Sequence, residues 1–158
     1  MRWFMPLVII LCAGALDAQE PSTDARELRR LHEELLEAHR TADVDRWMAI
    51  EAPVHVSVNG GRVTHPEFEA RRDRRALYLE GTTFEVYRDL REPLVRVSED
   101  GSLAWLIAEV EVRGTAASAV GGDESFHAIW AWVELYEKTD GRWRLVGNAS
   151  NRRPGEGG

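Results

Sequence analysis

Two apolar-rich runs near the end of the chain flank Asp140-Gly141. An Asp-Gly pair readily adopts the positive φ angles of a tight type I′ hairpin turn, so the runs are predicted to pair as antiparallel strands. The cross-strand pairs that result are Glu137 with Arg144 and Trp132 with Ala149. Because both faces of this hairpin carry apolar residues, we expect it to be buried on both sides.

Apolar residues recur every three or four positions between Ser22 and Thr41, which predicts an amphipathic helix. Asp24, followed three residues later by Glu27, predicts a capping box at its start. The periodic apolar positions are Leu28, Leu31, Leu35 and Ala38. His32 and His39 lie seven residues apart on this helix, and we expect solvated or half-buried positions for them rather than a metal site.

Two further helices are predicted from the residues at their ends. Asp43 is placed to cap a short second helix. Thr64 and Glu67 form a second capping-box pattern, before a helix that is predicted to end at Gly81. Between these helices, residues 54–58 alternate strictly between apolar and polar, which predicts a half-buried strand.

After residue 81 the pattern changes to that of strands. Residues 82–97 are predicted to form one long strand with Pro93 at a bulge or an edge, and residues 103–113 the next strand. Together with the hairpin, these strands follow three helices along the chain. This order predicts an α+β fold in which the helices pack on one side of a curved antiparallel sheet.

The first 18 residues have the composition of a secretory signal peptide. Arg2 precedes the apolar run 3–11, and small residues then predict cleavage after Ala15 or Ala18. The apolar run is too short to span a bilayer, so we expect an exported protein with no membrane attachment after cleavage. Cys12 is the only cysteine, and the mature chain would therefore have no disulfide and no thiolate metal site.

The length of the chain limits the number of domains, and its net charge limits the kinds of partner. The 158 residues correspond to one domain, which we place at residues 22–153, followed by a disordered tail at 154–158. The formal net charge of -7 argues against nucleic acid as a partner.

Three strings carry a family resemblance: TADVDRW at 41–47, GGRV at 60–63, and WVELYEKTDGRWRLV at 132–146. Together with the order of elements, they resemble the nuclear transport factor 2-like superfamily, and within it the SnoaL-like proteins related to ketosteroid isomerases and polyketide cyclases. The resemblance covers residues 27–152 and implies a cone, in which three N-terminal helices close a curved sheet around a pocket.

The register that the resemblance implies selects the side chains that face the pocket. Those expected to line it are His55, Ser57, Trp105, Ile107, Glu109, His127, Val133, Asn148 and Ser150. The same register places Trp130, Trp132, Tyr136, Trp143 and Leu145 on the outer face. So many aromatic residues should not stay exposed, and the resemblance implies a homodimer through that face.

Steroid-isomerase chemistry needs a carboxylate base and an acid that burial keeps neutral. The resemblance places Ser57 and Val133 at those two positions, so that mechanism is not expected. His127, Glu109 and His55 remain as acid–base candidates, because a histidine beside a carboxylate can act as a general base near neutral pH. The same three residues could hold a metal ion, but no local spacing supports one, and we expect neither a metal nor a cofactor.

Two functions of different classes stay open at this point. The cone either binds a small, mostly apolar molecule without catalysis, or it is an enzyme of isomerase, cyclase, dehydratase or hydrolase type that uses a His/Glu pair. The loss of the acid–base pair favours the binding protein.

Overall fold

The computed structural model describes residues 22–118 and 121–155, so the predicted signal peptide and residues 156–158 lie outside the described part. The helices are α1 (Thr23–Arg40), α2 (Val44–Ile50) and α3 (Phe68–Glu80). The strands are β1 (Glu51–Asn59), β2 (Arg62–Thr64), β3 (Thr82–Asp89), β4 (Leu94–Val97), β5 (Leu103–Ala117), β6 (Asp123–Thr139) and β7 (Arg142–Pro154). No helix in the described ranges is both long enough and apolar enough to cross a membrane.

The strands form one sheet in the order β2-β1-β7-β6-β5-β3, with β4 also paired to β5. The α+β prediction, with three helices against a curved sheet, is confirmed. The sheet is mixed rather than purely antiparallel, because β1 runs parallel to β7. This pairing brings the first strand of the chain beside the last one.

The capping predictions are right for α2 and wrong for α1 and α3. The Asp43 side chain accepts a hydrogen bond from the backbone N–H of Arg46 at 2.9 Å. At α3 the cap residue is Glu67, whose side chain makes no capping hydrogen bond, and the Thr64 hydroxyl donates to the Ser57 carbonyl oxygen instead.

At the start of α1 the cap is Ser22. Asp24 instead accepts hydrogen bonds from Lys138 Nζ at 2.5 Å and Trp143 Nε1 at 3.0 Å, and these two contacts lower the pKa of Asp24. The predicted cap is therefore a tertiary contact that fixes α1 against the hairpin.

The predicted long strand at 82–97 is two strands, β3 and β4. Both pair with β5, at different parts of its length. Pro93 lies in the break between them, where a residue without a backbone N–H interrupts no sheet ladder.

The hairpin turn forms as predicted, with φ angles of 50° at Asp140 and 74° at Gly141. Glu137 pairs with Arg144, but further along β7 the register shifts by one residue at a β-bulge. Leu135 therefore pairs with Gly147, and Trp132 pairs with Ser150 instead of Ala149. A Cβ atom at residue 147 would lie 2.9 Å from the Val56 carbonyl oxygen, so only glycine allows β1 to approach the bulge.

The faces predicted for β5 and β6 are wrong. The core between helices and sheet takes Ala104, Leu106, Ala108, Val110 and Val112 from β5, and Tyr136, Trp143 and Leu145 from the hairpin. Trp130 and Trp132 pack against this core. The opposite positions Trp105, Ile107 and Leu135 are 36%, 41% and 44% exposed. Burial of the larger apolar set against the helices decides which face is inside.

Candidate functional site

A cavity of about 350 Å³ lies between the three helices and the inner face of the sheet, and we call it the cone cavity. Its size is that of a site for a small organic molecule. The residues that line it are Leu35, His39, Trp47, Glu51, His55, Ser57, Asn59, Thr64, Pro66, Arg71, Arg74, Arg75, Tyr78, Tyr87, Trp130, Trp132, Glu134, Leu145, Asn148 and Ser150.

Aromatic rings form much of the cavity wall. The His39 ring stacks between Trp47 and Tyr87, with ring centroids 4.0 and 4.3 Å away. Tyr78 packs edge-on against Trp47, and burial raises the pKa of the Tyr78 hydroxyl to about 12. Together with Trp130, these rings offer flat surfaces to a bound molecule.

His39 contributes to this wall as a neutral ring. Its Nδ1–H donates a hydrogen bond to the Leu35 carbonyl oxygen at 2.7 Å, which leaves Nε2 as the acceptor nitrogen. Burial, with the positive charge of Arg75 nearby, lowers the pKa of His39 to about 3. A ring that is so hard to protonate is a poor general base near neutral pH, and it can serve as a hydrogen-bond acceptor.

One buried carboxylate in the wall belongs to Glu134, and with its partners we call it the Glu134 cluster. Its oxygens accept hydrogen bonds from His32 Nδ1 at 2.8 Å, Trp132 Nε1 at 2.9 Å and the Tyr136 hydroxyl at 2.7 Å. His32 Nε2 lies 3.1 Å from Asp89 Oδ1. Burial alone would lower the pKa of His32, but the two carboxylates outweigh it and raise the pKa to about 10. His32 is therefore a buried imidazolium that donates from both nitrogens.

The second buried carboxylate belongs to Glu51, and with its partners we call it the Glu51 cluster. Glu51 accepts hydrogen bonds from Trp47 Nε1 at 3.0 Å and Arg71 Nε at 2.6 Å, and a further one from Arg75 Nη2. The Arg75 guanidinium also lies 4.1 Å from the centre of the Trp47 ring. Arg74 lines the cavity beside this cluster.

Four of the predicted pocket residues come together where β1 runs beside β7. His55 Nδ1 donates to the Leu145 carbonyl oxygen at 3.3 Å, and its Nε2 lies 3.2 Å from Asn148 Oδ1. The Asn59 side chain donates to Ser150 Oγ at 3.0 Å, and Ser57 lies in the same wall. The β-bulge makes this possible, because it turns residues 148 and 150 to the side of the sheet that faces the helices.

The other predicted pocket residues lie outside the cone cavity. His127 Nε2 is 3.3 Å from Glu111 Oε1, whereas Glu109 pairs with Arg91 at 2.5 Å. The expected pair of His127 and Glu109 is therefore absent. His55 lines the cone cavity, whereas His127 and Glu109 do not. Trp105, Ile107 and Val133 also lie on the outer face, where Ile107 and Val133 line a shallower depression.

Sequence reasoning did not place Glu134, Glu51, Arg71 or Arg75 in the wall of a pocket. It expected solvated or half-buried positions for His32 and His39, and both are buried. One signal was present. Glu134 interrupts an otherwise apolar run from residue 128 to 136, and a carboxylate in such a run must find partners when the strand is buried.

No protein-family model and no curated protein matches the chain. Solved structures do match. An NTF2-like protein from Cytophaga hutchinsonii has a TM-score of 0.65 at 11% identity, over 81% of this chain and 97% of that chain. A ketosteroid isomerase-like protein from Erwinia carotovora atroseptica has a TM-score of 0.67 at 17% identity, over 85% and 100%. An NTF2-like protein of unknown function from Rhodospirillum rubrum has a TM-score of 0.63 at 17% identity, over 78% and 96%.

Sequence identities this low support a statement about the fold alone. The narrower SnoaL-like assignment stays a prediction. The structure superimposes on all three over at least 78% of its length, with TM-scores between 0.63 and 0.67. The chain therefore has the nuclear transport factor 2-like (NTF2-like) fold that its sequence resembles.

Proposed function

We propose that the cone cavity binds a small molecule with a flat, largely apolar body, and that the protein does so without catalysis. The observation that carries this proposal is the combination of an aromatic wall with ionisable groups that are already engaged. Glu134 accepts three hydrogen bonds from its own chain, and His32 holds its protons between two carboxylates. Groups fixed in this way support the cavity and are poorly placed to exchange protons with a ligand.

Catalysis by a His/Glu pair is the alternative, as an isomerase, cyclase, dehydratase or hydrolase. One observation favours it: the carboxylate of Glu134 reaches the cavity wall and contacts an imidazolium. The two functions differ in what happens to the ligand. Native mass spectrometry of the purified protein, with the bound molecule identified before and after incubation, separates a ligand that is returned unchanged from one that is converted.

The binding proposal is tested with 2-naphthamide, an uncharged flat probe, by isothermal titration calorimetry. Ser57→Phe fills the cavity from β1 and is expected to abolish binding. Val58→Phe is the matched control, because Val58 is the next residue of the strand and lines the outer depression. Equal binding of the probe by both variants would contradict the proposal, as would failure of the unmodified protein to bind both this probe and its charged analogues.

We also propose a homodimer through the outer sheet face. The aromatic residues first expected there are inside, but apolar side chains of β4, β5 and β6 are exposed in their place. These are Leu94, Leu103, Trp105, Ile107 and Leu135. A contiguous apolar face of this kind favours a partner surface. Sedimentation of the unmodified protein and of Ile107→Lys tests the dimer, since a charge at the centre of the face should shift the mass to that of a monomer.

Export of the protein is proposed from the N-terminal sequence alone. Detection of the mature protein outside the cytoplasm, with N-terminal sequencing to locate the cleavage site between residues 15 and 18, tests it.

A further inference from the structure

We infer that the ligand of the cone cavity is an organic monocarboxylate, whose charged group binds at Arg74 and Arg75 and whose apolar body lies against the aromatic wall. The inference rests on the proposed binding function and adds the class of ligand to it.

The first support is the balance of charge around Glu51. Three arginines of α3 line the cavity, Arg71, Arg74 and Arg75, and the carboxylate beside them is Glu51. In the described part of the chain Arg74 forms no ion pair, so this corner of the wall holds two positive charges in excess. Arg75 is the partly buried cation of this corner, and it shares the single carboxylate of Glu51 with Arg71. A partly buried cation whose charge is not fully offset is costly, and an anionic ligand would reduce that cost.

The second support is the difference between the two arginines that bind Glu51. Arg71 is 2% exposed, and besides Glu51 it donates to the carbonyl oxygens of Ala52 at 2.6 Å and Pro66 at 3.0 Å. Its guanidinium is satisfied by the protein. Among the described residues the hydrogen-bond acceptor of Arg75 is Glu51, which Nη2 contacts, and Nη1 has no acceptor. Burial lowers the pKa of Arg75, and the positive charges of Arg71 and Arg74 lower it further. Arg75 therefore has donors to offer that the fold does not use.

The third support is the position of these donors beside the aromatic wall. Arg71, Arg74, Arg75 and Tyr78 recur at helical spacing along one face of α3, and all four line the cavity. Arg75 lies over the Trp47 ring, and Tyr78 packs against the same ring. A molecule whose anionic group meets the guanidinium of Arg75 would therefore have its apolar part close to Trp47 and Tyr78.

The charge of the whole cavity favours a carboxylate over a phosphate. Counted over the whole wall, the three arginines exceed the two glutamates, Glu51 and Glu134, by one positive charge, which a monoanion neutralises and a dianion exceeds. A guanidinium matches the geometry of either group, so the net charge of the wall decides between them.

The test compares 2-naphthoate with 2-naphthamide, two probes of similar shape that differ in charge, by calorimetry on the full chain at low and at physiological salt. We expect 2-naphthoate to bind about tenfold more tightly, because charge-assisted hydrogen bonds to arginine are the stronger ones. Arg74→Gln and Arg75→Gln should each reduce this ratio. Arg74 is exposed, so its variant keeps the test valid if the Arg75 variant does not fold. Arg72→Gln is the control, since Arg72 lies on the same helix but pairs with Asp45.

Each outcome bears on the inference. Equal binding of the two probes, or a ratio that Arg72→Gln lowers as much as Arg74→Gln, would overturn the inference and leave the binding function standing. Tighter binding of 2-naphthyl phosphate than of 2-naphthoate would overturn the choice of a carboxylate. Failure of all three probes to bind would overturn the inference together with the proposed function.

Discussion

The Glu134 cluster and the Glu51 cluster each bury a carboxylate in the wall of the same cavity, but negative groups outnumber positive ones in the first and positive groups outnumber negative ones in the second. In the first, two carboxylates face one imidazolium, and Tyr136 and Trp132 supply the remaining donors. In the second, one carboxylate faces two guanidinium groups, and Nη1 of Arg75 has no acceptor among the described residues.

The difference teaches which cluster supports the fold and which is available to a ligand. The acceptor groups of the Glu134 carboxylate are used by donors of the same chain, so a ligand gains little from it. The Glu51 cluster has unused donors and excess positive charge beside Arg74, so an acidic ligand can complete it. Three measurements follow from this comparison.

The largest effect is expected from Glu134→Ala. The substitution leaves the buried imidazolium with Asp89 as its remaining partner and removes the acceptor of the Tyr136 hydroxyl. Loss of one member of a buried ion pair costs about 3–5 kcal/mol of unfolding free energy. Urea denaturation measures the loss, and Glu134→Gln, which keeps an acceptor, should lose less. A change below about 1 kcal/mol would show that the cluster is not a structural element.

A smaller loss of stability is expected from substituting the arginines of the Glu51 cluster, and it should differ between the two. Arg71→Gln should cost about 3 kcal/mol, because Arg71 is buried with all its contacts made, whereas Arg75→Gln should cost about 1 kcal/mol or less. Urea denaturation of both variants measures the two costs side by side. Equal losses would mean that Arg75 serves the fold as much as Arg71 does, and the comparison between the clusters would fail.

The third effect is a gradual one, a pH dependence of stability that belongs to the Glu134 cluster. The pKa of His32 is raised from its ordinary value of 6.5 to about 10 in the folded protein. Its stabilising contribution is therefore complete below pH 6.5 and is lost as the pH rises toward 10, with a slope of at most about 1.4 kcal/mol per pH unit. Unfolding at a series of alkaline pH values measures the slope. His32→Gln should flatten it, and an unchanged slope in that variant would assign the titration to another group.

Local signals in the sequence predicted the elements well. The Asp140-Gly141 turn, the cap at Asp43 and the end of α3 at Gly81 all depend on residues within a few positions of one another. The α+β class followed from the order of those elements, and the NTF2-like fold from the family resemblance that three sequence strings carry together with that order. The cap of α1 was misplaced because Asp24 has a stronger use, as the acceptor for Lys138 and Trp143 on the hairpin.

The tertiary structure alone decided which face of the hairpin is inside and which charges meet. Both faces of β6 carry apolar residues, so alternation could not choose between them, and the bulge that reverses the sides of β7 leaves no clear local signal. The polar contacts of the site join residues that are far apart in the sequence. His32 and Glu134 are 102 residues apart, and His55 and Asn148 are 93 apart. The sequence by itself determined the elements and the turn that joins the last two strands. Packing determined the cavity, because the energetic cost of a buried charge depends on partners that only the folded chain brings together.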